Sequence, residues 1–292
     1  MRGDNSGMLN SIGVMFGATE DLEATLSEFE EIGIREGQMA VPGDLSLGEA
    51  TEQWRVLPER RKFRIHTLFG VYTDESYADI ETVRRTVGFI PRAMRREREL
   101  RSREIIDLAA SMGVPGFATH VGFIPENDRD EDYIAVREMV RRLADHAASR
   151  GMTFALETGQ ETAENLRNFL IDVNRGNVGV NFDPANMILY GTGDPIEALK
   201  TVGQHVITVH AKDGIWPAAG EPGCLGVETP IGEGKVNFPD FLSELEHIGH
   251  RRPLFIERET NDHSARLRDI AAGKKYIEDL QKETPSDKRD GR

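Results

Sequence analysis

The chain has 292 residues, of which 38% are hydrophobic and 29% charged, enough apolar material for a sizeable globular core. Its formal net charge of −14 opposes unassisted binding to nucleic-acid phosphates or anionic lipid. The single cysteine, Cys224, excludes an intramolecular disulfide framework and a multi-thiol metal site.

No apolar run reaches the roughly 20 residues needed to span a bilayer, and MRGDNSGMLNSIGVMF has no signal-peptide h-region. The expected setting is the cytoplasm. Residues 1–8 and 283–292 lack apolar periodicity and read as flexible termini, with no linker between them. One domain over 9–282 is expected.

Strand-like and helix-like stretches alternate along the chain. Ser11–Phe16 reads as a strand, followed by apolar Leu22, Leu26 and Phe29 at helical spacing over Leu22–Ile32. Arg35–Val41 then precedes a loop and helix over Ser46–Leu57, and Phe63–Phe69 precedes the charged helix Met94–Met112. The next pairs are Gly116–Val121 with Asp132–Arg150, Thr153–Glu157 with Glu161–Val173, and Val178–Asp183 with Ile196–Val202. Val206–Ala211 is separated by a long loop from Phe238–Ile248, and Leu254–Glu257 leads into His263–Leu280.

Helices end near Gly33, Gly113, Gly151, Gly176, Gly203 and Gly249, the usual left-handed stop. Eight strand–helix units with near-continuous apolar strands predict an α/β fold, a (β/α)8 TIM barrel. The competing open doubly wound sheet would show a G-x-G-x-x-G turn after its first strand, and GATEDLEA lacks it.

In such a barrel, chemistry sits at the carboxyl ends of the strands. Reading those ends gives His66, His120, Glu157, Asp183, His210 and Glu257. A lone acid closing TFAL or VGVNF has no packing reason to be there, because buried acids are costly unless paired or cation-bound. Glu157, Asp183, His210 and Glu257 converging on one axis would repel without a positive ion. One divalent metal resolves this and leaves positions open for substrate oxygens. The O,O,N,O donor set favours Mn2+, with Mg2+, Co2+ and Zn2+ compatible.

The strings ALETGQE, NFDPANM, TVHAKD and FIERE, with PIGEGKVNF between the last two, resemble the xylose isomerase-like TIM barrel superfamily. Its members include ketose 3-epimerases, hydroxypyruvate isomerase, keto-inositol isomerases and dehydratases, and endonuclease IV. The resemblance implies that the same four residues are metal ligands. It also implies an isomerase or epimerase of a keto-sugar or sugar-like polyol in carbohydrate metabolism, acting through a metal-stabilised enediolate. Glu157 and Glu257 would then be acid and base on opposite substrate faces, and Lys212, two residues past His210, would support the oxyanion or neutralise a carboxylate.

Two departures bear on the substrate. Asn186 stands where many relatives place a histidine, and Gly214–Pro217 offers no arginine. His66, His120, Asn186 and Trp216 are candidate substrate contacts, although a strand histidine can be a core residue, Asn186 a helix cap and Trp216 a loop-packing aromatic. The Arg-rich run 91–100 is interleaved with glutamates and reads as a solvated or interface helix face. Expected partners are a small sugar-like molecule and, for barrels of this kind, another copy of the chain, with neither nucleic acid nor membrane.

Three other activities compete. A dehydratase on a keto-inositol or 3-keto-sugar would form the same enediolate and expel a β-hydroxyl. An endonuclease IV-like repair enzyme would need three zinc ions. A catalytically silent sugar-binding barrel would bind without proton exchange.

Overall fold

The computed structural model describes residues 10–19, 21–47, 52–218 and 223–283. The expectation of flexible termini falls outside these residues, apart from Glu283, which closes the last helix.

Eight parallel strands close into a barrel, as the alternation predicts. In chain order the elements are β1 (Ile12–Gly17), α1 (Leu22–Glu31), β2 (Glu36–Val41), α2 (Glu52–Arg61), β3 (Arg64–Gly70), α3 (Ile80–Thr86), α4 (Arg95–Ser111) and β4 (Gly116–Thr119). There follow α5 (Glu131–Ala148), β5 (Thr153–Glu157), α6 (Ala163–Val173), β6 (Val178–Phe182), α7 (Pro184–Tyr190), α8 (Pro195–Val202) and β7 (Val206–Ala211). The chain closes with β8 (Asp213–Ile215), β9 (Val227–Thr229), α9 (Phe238–His247), β10 (Leu254–Ile256) and α10 (His263–Glu283). Around the barrel the order is β1-β10-β7-β6-β5-β4-β3-β2. Strands β8 and β9 form a separate antiparallel hairpin inside what reads in sequence as one long loop, with Ile215 opposite Val227.

Local chemistry explains where the helices start. Asp194 accepts from the amides of Ile196 and Glu197 at 2.9 and 3.0 Å, with Pro195 in the first turn. Proline there gives up an N–H that would be unpaired anyway. Thr162 caps α6 through Asn165 N at 3.2 Å, and Asp130 caps α5 through Asp132 N at 2.7 Å.

The helix stops depart from the glycine expectation at two places. Gly33, Gly113, Gly151 and Gly249 take positive φ, whereas at the end of α6 that role belongs to Asn174 (φ 49°), not Gly176. Gly203 is helical (φ −51°) and opens a 3-10 turn into β7. Asparagine is the non-glycine residue that tolerates this conformation best, since its short amide bonds locally.

Most of the core lies between barrel and helices, where Phe117, Phe154, Phe169, Phe182 and Phe241 are fully buried. A smaller apolar cluster, Phe69, Ala118 and Ala155 with Met15, Ala40, Val71 and Ile207 against it, stands apart from that core. No helix among the described residues is long and apolar enough to cross a membrane.

Candidate metal centre

Four neighbouring strands, β5, β6, β7 and β10, each deliver one acid or imidazole to the same point. Glu157 is the last residue of β5, Asp183 follows β6, His210 is next to last in β7, and Glu257 follows β10. One ligand atom from each lies within 4.8 Å of the others. His210 Nδ1 sits 3.1 Å from Glu157 Oε1, 3.8 Å from Asp183 Oδ2 and 3.2 Å from Glu257 Oε2.

Asp183 has two tasks. Its Oδ1 caps α7 through Asn186 N at 3.0 Å, while its Oδ2 faces the cluster, buried and without a hydrogen bond. His210 Nδ1 is orphaned in the same way. Buried polar atoms are normally satisfied. Two orphans aimed at one point among three carboxylates match a divalent cation with oxygen and nitrogen donors.

The opposite ring nitrogen is held. His210 Nε2–H donates to Gln38 Oε1 at 3.2 Å, and Gln38 Nε2 donates to Thr208 Oγ1 at 2.6 Å. This aims Nδ1 at the cluster, as partners of metal-bound histidines do, and Asn181 Nδ2 also lies 3.1 Å from Nε2. On the acid side, Asn181 Nδ2 donates to Glu157 Oε2, and Asn186 Nδ2 to Glu157 Oε1 at 3.4 Å.

The two glutamates differ in proton affinity. Burial pushes Glu157 up to about 7 against the pull of His210. Burial also works on Glu257, but Lys212 and His210 outweigh it and hold that carboxyl well below its ordinary range. Lys212 Nζ lies 3.1 Å from Glu257 Oε2, 3.1 Å from Glu259 Oε2 and 4.0 Å from Asp183 Oδ2.

Above the cluster opens a cavity of about 680 Å3. His120, Asn186, Lys212 and Glu257 line it, with Tyr77 and Tyr190. Burial pulls His120 down to about 4, so it is neutral near pH 7, and Gln160 Nε2 lies 3.2 Å from its Nδ1.

Two expected substrate contacts lie elsewhere. His66 is the third residue of β3, which runs four residues further, so it is not at the strand's carboxyl end. It bonds to Glu36 at 2.9 Å beside Phe255 and does not line the cavity. Trp216 is 42% exposed at the end of the β8–β9 hairpin, also off the cavity wall. His66 thus stands apart from the four-residue cluster, whereas His120 lines the cavity above it.

Sequence reasoning passed over Gln38, Asn181 and Thr208, all buried polar residues in apolar strands. EGQMAV and VGVNF carried the same signal that singled out the acids.

Comparison with known proteins agrees with this fold. A xylose isomerase domain protein from Planctomyces limnophilus is 36% identical, with a TM-score of 0.86 over 94% of this chain and 98% of that one. A D-tagatose 3-epimerase-like protein is 17% identical with a TM-score of 0.69 over 91% and 97%. The IolI protein, whose structure has a zinc atom, is 17% identical with a TM-score of 0.68 over 94% and 100%. Matches to curated relatives are shorter: they cover 61%, 53% and 46% of the relatives' own lengths. The xylose isomerase-like TIM barrel family matches residues 30–281, and the chain belongs to it.

Proposed function

We propose that the protein isomerises or epimerises a keto-sugar or sugar-like polyol, with a divalent cation, Mn2+ in first place, held by Glu157, Asp183, His210 and Glu257. The observation that carries the proposal is the pair Glu157 and Glu257. They flank the four ligand-bearing strands, meet at one imidazole and differ in proton affinity. Two-base proton transfer needs such a division of roles. The zinc of IolI and the epimerase-like neighbour support the reading.

When bound, the cation supplies Lewis-acid polarisation of a substrate carbonyl. Glu257, kept ionised by Lys212, takes the proton from the carbon beside that carbonyl, and the electron pair moves to the carbonyl oxygen. Glu157, at the other flank of the cluster, returns a proton to the carbon. Delivery to the other face inverts the centre. Lys212 balances charge on the carboxylates and the substrate oxygen, Asn186 and Asn181 hold Glu157 in place, and His120 meets a substrate hydroxyl as a neutral partner.

The test is incubation of the metal-loaded protein with keto-sugars in D2O. The proposal expects one deuterium on carbon in an isomeric product. Loss of water instead would assign the dehydratase activity, and binding with no exchange would leave a sugar-binding barrel.

A further inference from the structure

We infer that the site takes an uncharged polyhydroxy ketone and turns away phosphorylated or carboxylated ones, because the chain's own carboxylates occupy the amide donors an anion would need. The inference rests on the function proposed above and specifies its substrate class.

In (β/α)8 barrels a phosphate is commonly held by the loops after the seventh and eighth strands. Those positions here are the loops after β7 and β10. The first contains a ring of amides converging on one point, the kind of concavity that binds anions. Its anion is already built in, and neither Asp213 nor these amides line the cavity. Asp213 Oδ1 accepts from Gly214 N at 2.8 Å and Val236 N at 3.0 Å, and Oδ2 from Gly232 N at 2.9 Å and Gly234 N at 3.0 Å. After β10, the amide of Glu259 faces both oxygens of Glu228 at 3.1 Å.

Side-chain cations are committed too. Among the described residues lining the cavity, Lys212 and Arg258 are the cations. Lys212 bridges Glu257 and Glu259, while Arg258 pairs with Glu228 at 3.0 Å and Asp269 at 2.8 Å. Residues 219–222, AGEP, add no positive charge. The walls contributed by β1, β2 and β3 are Met15, Ala40 and Phe69, with Val71 beyond, and carry no donors for an anion.

Glu259, which lines the cavity with a 63% exposed side chain, adds negative charge there, and like-charge juxtaposition is a strong rejector of wrong partners.

Calorimetric titration of the Mn2+-loaded protein with matched pairs tests this. The probes are free ketopentoses, ketohexoses and a keto-cyclitol, set against terminal phosphate esters and a keto-uronate. At least one free compound should bind, with its phosphate ester at least tenfold weaker. Glu228→Gln, which weakens the hold on the Glu259 amide, should narrow that gap. Should this variant fold poorly, Glu259→Gln at the 63% exposed side chain should narrow it instead.

An ester binding as tightly as the free sugar, no free compound binding at all, or a gap unchanged in both variants would overturn the inference. Selective binding of a free sugar without isotope exchange would instead remove the isomerase reading and leave the charge selection standing.

Discussion

Gln38 Oε1 accepts from His210 Nε2 at 3.2 Å, joining β2 to a candidate ligand on a strand three places away around the barrel. Thr208 orients the amide, so the glutamine presents oxygen to the imidazole. Replacing Gln38 by leucine keeps the size and removes the acceptor. Such supporting contacts are worth about 10- to 100-fold in metal affinity. Q38L should weaken Mn2+ binding by that factor in a calorimetric titration, and unchanged affinity would show that the ring is held by packing alone.

Metal removal should also show in stability. A ligand that binds the folded state alone adds about 2.7 kcal/mol at 100 times its dissociation constant. Thermal melts with Mn2+ and with a chelator should differ by several degrees, whereas Asp183→Asn should melt at one temperature in both. A wild-type melt indifferent to chelator would count against the four-residue centre.

Glu161 predicts a pH effect. Burial pushes its carboxyl up to about 8 from an ordinary 4.5, with a backbone hydrogen bond at its own amide opposing. The fold therefore prefers the protonated acid. This contribution is full below about pH 4.5 and is lost as pH rises through about 8. The loss is on the order of 5 kcal/mol at most, at 1.36 kcal/mol per unit. Denaturant titrations at pH 5, 7 and 9 should show wild type weakening relative to Glu161→Gln, and parallel curves would refute the assignment.

At Gly234 an added Cβ would stand 2.0 Å from Asp213 Oδ1 and 2.5 Å from Gly214 N. Gly234→Ala must open the amide ring around Asp213, and buried strain of this kind costs on the order of 3 kcal/mol. The variant should melt well below wild type. A melting point within a degree would mean that the ring relaxes freely.

Lys212 stands between two roles, counter-ion to Glu257 and support for the substrate oxygen. Lys212→Met should lower deuterium exchange by roughly 10²-fold or more if the ammonium meets developing charge. Exchange within threefold of wild type, with altered metal affinity, would leave it as a counter-ion only.

The primary structure by itself determined the barrel and the four residues proposed to hold the metal. Strand and helix periods and acids ending apolar strands are local signals, each readable within a few residues. Tertiary structure decided the remainder, because those contacts join positions far apart in the chain. Gln38 reaches His210 across 172 positions, His66 finds Glu36 rather than the cavity, and Asp213 gathers amides some 20 residues ahead. The β8–β9 hairpin is too short to show a period and is defined by its packing against α7.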